Sequence, residues 1–147
     1  MTDPGTTLAD AIDAVLPAWV ERSVDRVYRA QQKQAPPEAV TDAAKDAGLA
    51  AAADIGPKVR ALLAADVDAQ YTTPLSLVRQ AVPYASAVLQ QAGVPEMRRD
   101  AVDAAMFPED LYGLTPANFG DVDPSLTDPG LVWGAAKAWT HRRRHQP

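Results

Sequence analysis

Prolines recur along this chain at positions where helices begin, and their placement constrains the fold more than any other feature. The sequence has 13 prolines in 147 residues. Most of them precede or open a stretch rich in alanine or leucine, as Pro74 and Pro129 do. Because proline lacks an amide hydrogen and has a fixed φ, it suits the first turn of a helix and disrupts the interior of a sheet. The pattern predicts an all-α fold, an irregular bundle of about five or six helices.

Length and composition narrow the protein class. A chain of 147 residues fits a single domain, here 1–147 with frayed ends at 1–6 and 144–147. It has no cysteine, which rules out disulfides, thiolate metal sites and thiol nucleophiles. The net charge of −5 argues against bulk affinity for nucleic acid. Without an export signal or a long apolar run, the expectation is a soluble cytoplasmic protein with no membrane contact.

Apolar spacing predicts three helices in the first half of the chain. The first runs from about 7 to 33, starts at a capping box of Thr7 and Asp10, and is kinked or divided at Pro17. The second, from Pro37 to about Ala53, has few large apolar residues and is expected to be exposed and weakly anchored. Gly56-Pro57 is predicted to end it, before a short third helix from Val59 to Val67.

The second half begins with a clear helix start at Thr73-Pro74. This helix is predicted to kink at Pro83 and to end at Gly93, a residue suited to a left-handed cap. Pro95 is expected to open the next helix. The inner face of that helix is predicted to consist of Met97, Ala101, Val102, Ala105 and Met106.

A proline-rich segment of short turns, about 107–129, is expected to wrap across the helices before a C-terminal helix. Its predicted anchors are Phe107, Leu111, Tyr112, Leu114 and Phe119. Asp123-Pro124 and Asp128-Pro129 are interpreted as caps before proline-initiated turns. A calcium loop is disfavoured, because neither Asp121-Val-Asp123 nor Asp66-Val-Asp68 has the glycine and terminal glutamate that an EF-hand needs.

Two basic features are candidate binding surfaces. In the first helix, residues at spacings of four, three and four form a positive stripe suited to an acidic partner. The stripe consists of Arg22, Arg26, Arg29 and Lys33. The other feature is the C-terminal helix, with the apolar cluster Trp133 to Trp139 and the basic residues Arg142 and Arg143. A solvated charged surface, or close helix packing beside Gly134, is the plainer interpretation of each.

The chain offers little for catalysis. It has no glycine-rich phosphate loop, nucleophile elbow or metalloprotease motif. Its two histidines, His141 and His145, share a helix face but lack further ligands, so the expectation is that no metal and no cofactor bind. An apolar pocket between helices, which could bind a small ligand and be enzymatic, is an alternative. Its candidate lining is Tyr84, Met97, Met106, Tyr112 and Trp133.

Four stretches carry a resemblance to known proteins. They are Thr73-Pro-Leu-Ser-Leu-Val-Arg-Gln-Ala-Val, Ala92-Gly-Val-Pro, Phe107-Pro-Glu-Asp-Leu-Tyr-Gly-Leu-Thr-Pro-Ala and Asp128-Pro-Gly-Leu-Val-Trp-Gly-Ala-Ala-Lys-Ala. They resemble small helical proteins of high-GC Gram-positive bacteria that carry no assigned activity. The resemblance covers roughly the C-terminal half. It implies a soluble bacterial domain and brings no catalytic residues.

These observations favour a non-enzymatic interaction or regulatory module that binds a protein partner or a second copy of itself. The first alternative is the small-ligand pocket between helices. The second is weak nucleic-acid binding by the C-terminal arginines, which predicts steeply salt-dependent affinity.

Overall fold

A computed structural model describes residues 4–64 and 73–126 of the chain, and the fold there is all-α, as predicted. Within those ranges no residue forms a strand. The α-helices are α1 (Pro4–Gln32), α2 (Glu38–Ala64), α3 (Pro74–Val78), α4 (Val82–Gln91), α5 (Ala101–Met106) and α6 (Phe119–Val122). Two short 3₁₀ turns, Arg79–Ala81 and Pro124–Leu126, complete the elements.

Helices α1 and α2 form a long antiparallel hairpin. Gly48 of α2 lies against Pro17 of α1, and further along α2 Gly56 lies against Asp13. Contacts therefore run backwards along α1 as they run forwards along α2. Helix α1 is unbroken at Pro17 and begins at Pro4, so the predicted division at Pro17 and the start at a Thr7 capping box are both wrong.

Helix α2 contradicts the sequence prediction most clearly. It continues through Gly56 and Pro57 to Ala64, where a break was expected, although an internal proline typically costs about 3 kcal/mol. Packing against α1 outweighs that penalty. The face that packs is a stripe of buried residues at helical spacing: Ala44, Gly48, Ala51, Ile55, Val59 and Leu62. The predicted weak anchoring of this helix is therefore wrong, although Leu49 is 56% exposed.

Helices α3 and α4 confirm the start at Thr73-Pro74 and the end at Gly93 that were predicted for the first helix of the second half. Thr73 caps α3 in a capping box, in which its hydroxyl accepts from the Ser76 amide and its own amide donates to the Ser76 hydroxyl. Where a kink at Pro83 was predicted inside one helix, the structure has the 3₁₀ turn Arg79–Ala81, and Pro83 lies in the first turn of α4. After α4, Gly93 has φ +75° and its amide donates to the Gln90 carbonyl. The Val94 amide donates to the Leu89 carbonyl, which completes a Schellman cap.

The helix expected to open at Pro95 begins six residues later, at Ala101. The intervening chain belongs to no helix and is held by tertiary hydrogen bonds. Gln31 of α1 donates to the carbonyls of Pro95 and Glu96 at 2.9 and 2.8 Å. Of the inner face predicted for this helix, Met97 is partly buried against the core. The prediction is wrong for Val102 and Met106, which are 66% and 64% exposed.

The segment from Phe107 to Leu126 wraps across the helices as predicted. Tyr112 and Leu114 are buried, and Leu111 and Phe119 are partly buried against the same core. The Tyr112 hydroxyl donates to the Val94 carbonyl at 2.9 Å, and burial, with the charge of Glu96, raises its pKa. The Ser125 amide donates to the Asp123 carboxylate at 2.8 Å, which confirms the capping role before Pro124.

Candidate functional site

The basic stripe of α1 is divided by the fold into paired and unpaired cations. Arg22 ties the wrapping segment to α1, because its Nη2 donates to the Val122 carbonyl at 2.7 Å and lies 3.6 Å from the Asp123 carboxylate. Arg29 donates through Nε to both carboxylate oxygens of Asp25, at 2.9 Å each. The charges of these two arginines are therefore already paired within the protein.

The other two cations of the stripe, Arg26 and Lys33, are exposed. Within residues 4–64 and 73–126, neither side chain has a hydrogen bond or an ion pair. Lys33 follows the last turn of α1 with φ 59°, and its amide donates to the Arg29 carbonyl at 3.0 Å. The stripe thus presents two cations whose charges remain available to a partner.

A cleft of about 620 Å³ lies beside Arg26, between the second half of α1 and the start of α2. Its apolar lining includes the core residues Trp19, Val24 and Ala44, with Pro36 and Val40 on the α2 side. The arginines were predicted from their spacing in the sequence, but this cleft was not. The cleft depends on how the turn between the two helices spaces them, and residue spacing within one helix carries no signal for that.

Three acidic residues also line this cleft, and two of them have partners. Asp25 is paired with Arg29, and the Asp121 carboxylate accepts from the amides of Ala117 and Asn118 at the start of α6. Glu21 is half-buried. The cleft therefore has mixed charge, with its unpaired positive charge at Arg26.

The residues predicted to line one apolar pocket are dispersed. Tyr84 lies in a shallow depression between α2 and α4, and Met106 lies at a different cavity beside α4. Met97 is partly buried against the core and Tyr112 is buried in it. Trp133, like the candidate partner-binding residues Trp139, Arg142 and Arg143, lies outside the described residues. The same is true of His141, His145, Asp66, Asp68 and the Asp128-Pro129 cap.

In the described part of the chain, no group of three or more acidic or histidine side chains is placed to hold a metal ion. The calcium interpretation of Asp121 and Asp123 also lacks support, because both carboxylates accept hydrogen bonds from nearby backbone amides. Nor does any described helix combine the length and apolar character needed to cross a membrane.

Sequence reasoning missed two polar contacts that link helices. Arg60 of α2 binds Asp10 at 2.9 Å and also binds Asp13, and hydrogen bonds to Asp13 and Asp10 raise its pKa. Tyr84 of α4 donates to Asp54 of α2 at 2.8 Å. That bond lowers the pKa of Asp54, with help from Lys58, and raises the pKa of Tyr84. Such pairs depend on the register between helices, which no local pattern records.

Comparison with known proteins adds no relative: no protein-family model, curated protein or solved structure matches this chain. A functional proposal must therefore be based on the geometry alone.

Proposed function

We propose that this protein is a non-catalytic cytoplasmic binding module that docks an acidic segment of a partner protein in the cleft between α1 and α2. The observation that carries the proposal is the contrast within the basic stripe. Arg22 is paired with the wrapping segment and Arg29 with Asp25 of the same helix, whereas Arg26 and Lys33 are exposed and have no partner among the described residues.

The cleft complements those cations with apolar surface. A segment that places a carboxylate near Arg26 covers the exposed edge of an apolar lining that includes Val40 and the buried ring of Trp19. Arginine favours such sites because its planar guanidinium binds carboxylates through two parallel hydrogen bonds. Lys33, beyond the end of α1, extends the positive surface towards the next acidic residue of the partner. Peptides with carboxylates flanking an apolar residue fit this arrangement best.

The mixed charge of the cleft sets the expected strength of binding. Exposed ion pairs contribute little individually and are screened by salt. We therefore expect a modest affinity that weakens as ionic strength rises. The charges determine mainly the association rate and the choice of partner.

Site-specific photo-crosslinking identifies the partner and locates it on the surface. A photoreactive residue replaces Thr41, which is exposed and lines the cleft, or Ala53, which is exposed on the same helix outside it. We expect a crosslink from position 41 and none from position 53, with an acidic segment of the partner at the crosslink. A peptide of that segment then allows the affinity to be measured by fluorescence anisotropy.

Charge reversal tests the role of the two cations. In the double variant Arg26→Glu, Lys33→Glu, the Kd for the peptide is expected to rise at least about tenfold and its salt dependence to weaken, with little change in Tm. Reversal of the exposed Arg98, outside the cleft, is the matched control. An unchanged Kd in the double variant refutes the proposal. So does a crosslinked segment without acidic residues, or a crosslink to a second copy of this chain.

A further inference from the structure

A second cavity, separate from the α1–α2 cleft, lies between α4 and the first part of the wrapping segment. Its volume is about 490 Å³, within the range of small-molecule sites. Its apolar lining includes Val82 of α4, Met106 at the end of α5 and Phe107 of the wrapping segment. Its polar lining consists of Arg79, Ser86, Gln90, Glu109, Asp110 and Thr115.

The unsatisfied hydroxyl of Ser86 is the first observation that points to a ligand in this cavity. The residue is only 7% exposed, and its Oγ has no hydrogen-bond partner within the described ranges. A serine inside a helix commonly donates back to the carbonyl four residues earlier, but this hydroxyl does not. Buried hydroxyls are nearly always hydrogen-bonded in native proteins. The Oγ atom has almost no accessible surface, so a ligand reaches it only when rotation about χ1 turns it towards the cavity that Ser86 lines.

Arg79 is the second sign, because the fold holds its guanidinium in place without using all of its donors. Its Nε donates to the Pro116 carbonyl at 3.0 Å, and its guanidinium carbon lies 5.6 Å from the centre of the Phe107 ring. Its Nη groups make no hydrogen bond or ion pair with the described residues. A guanidinium fixed in this way loses less conformational entropy when it binds an anion.

The other charges of the cavity restrict the charge of the ligand. Both oxygens of Asp110 are occupied by the amides of Leu114 and Thr115 and by the Thr115 hydroxyl, at 2.7 to 2.9 Å. Glu109 is exposed at the rim and makes no ion pair with Arg79. A phosphate dianion in this cavity would be repelled by two carboxylates. The same carboxylates repel a monoanion about half as strongly, and its one carboxylate is matched by the single guanidinium of Arg79.

We infer that this cavity binds a small monocarboxylic acid with an apolar body. The carboxylate accepts from the free Nη groups of Arg79, and the apolar body packs against Met106 and Phe107. After rotation about χ1, the unpaired Ser86 hydroxyl can bind a polar substituent on that body. This site is independent of the α1–α2 cleft, so failure of either proposal leaves the other standing.

Phenylacetate is a suitable probe, with phenylacetamide as its neutral counterpart and phenyl phosphate as a dianionic one. In NMR titrations of the labelled protein, we expect phenylacetate to shift the Arg79, Ser86 and Phe107 amide signals saturably at concentrations up to about 10 mM, as for a weak ligand of this size. The amide and the phosphate are expected to bind at least about tenfold more weakly. Equal shifts from all three compounds, or none from phenylacetate, overturn the proposal.

Two variants test the assigned residues. Arg79→Lys keeps the positive charge but removes the paired Nη donors of the guanidinium group. We expect it to raise the phenylacetate Kd at least about tenfold. Arg98→Lys, at an exposed position, is expected to leave that Kd unchanged. Ser86→Ala is expected to keep phenylacetate binding and Tm, because it removes a hydroxyl with no partner. It should weaken only carboxylates that carry a further hydroxyl or keto group. An unchanged Kd in folded Arg79→Lys overturns the site, and a clearly lower Tm in Ser86→Ala overturns the ligand role of that hydroxyl.

Discussion

Replacing Gly48 by alanine tests the packing of the α1–α2 hairpin, because helix propensity and tertiary packing predict opposite signs. Gly48 lies in the alanine-rich middle of α2, where alanine favours the helix by about 1 kcal/mol over glycine. An added Cβ would lie 2.7 Å from the carbonyl oxygen and 2.9 Å from the Cα of Pro17. Ordinary van der Waals contact begins near 3.4 Å, so the two helices must separate by about 0.7 Å.

The magnitude follows from which atoms collide. Both are backbone atoms of α1, so no side-chain rotation relieves the contact, and the neighbouring buried residues Ala44 and Ala51 lose contact as the helices separate. Overpacking typically costs about 1–3 kcal/mol, and a rigid backbone contact lies at the upper end. After the gain in helix propensity, we expect Gly48→Ala to lower the free energy of unfolding by about 2 kcal/mol. That corresponds to a fall in Tm of about 4–8 °C for a chain of this size.

Urea denaturation followed by circular dichroism at 222 nm measures the change. The control is Ala50→Gly, at an exposed position of the same helix, which should cost about 1 kcal/mol from propensity alone. If Gly48→Ala stabilises the protein, propensity governs this position. The close approach of α1 and α2 would then be refuted.

Three further perturbations test other parts of the fold. Lys33→Gly relieves a left-handed conformation, with φ 59°, and is expected to raise the free energy of unfolding by about 0.5 kcal/mol in chemical denaturation; a loss of stability would contradict this. Asp110→Ala leaves the amides of Leu114 and Thr115 without their acceptor and is expected to cost about 2–3 kcal/mol by the same measurement, so a neutral effect would contradict the described loop. Asp54 has a lowered pKa because of its bonds from Tyr84 and Lys58, so its stabilising contribution is complete above the unfolded carboxyl pKa of about 3.9 and is lost as pH falls through the lower folded value. Tyr84→Phe should therefore lower Tm at pH 7 and have less effect in acid, and a Tm difference independent of pH would argue against the bond.

The helix ends show how far local sequence determines this structure. The start at Thr73-Pro74 and the end at Gly93 were predicted correctly, because a capping hydroxyl, a proline at the first position and a left-handed glycine act within a few residues. The failures at Pro57 and Pro95 have one shared cause. A proline is compatible with several structures, and distant contacts decide among them.

For the candidate sites too, the sequence predicted some features and only the tertiary structure decided others. The spacing of the stripe in α1 placed Arg22, Arg26, Arg29 and Lys33 as surface cations, and all four are exposed. Which of them remain available for a partner depends on the side chains and carbonyls that approach them. Among the described groups that bind these cations, only Asp25, the partner of Arg29, belongs to α1 itself. The carbonyl that binds Arg22 belongs to Val122, 100 positions away in the chain.

The amino-acid sequence by itself determined that the described part of this protein is helical, where its clearest helix ends lie, and that the segment from Phe107 to Leu126 wraps across the helices, because caps and apolar periodicity are local properties. The tertiary structure alone decided that α2 passes through Gly56-Pro57, that Gly48 meets the backbone of Pro17, and that Ser86 and Arg79 line one cavity. Those outcomes depend on the distance and register between segments far apart in sequence. Burial of a continuous apolar face can offset a local penalty of about 3 kcal/mol only when a second helix is there to cover it.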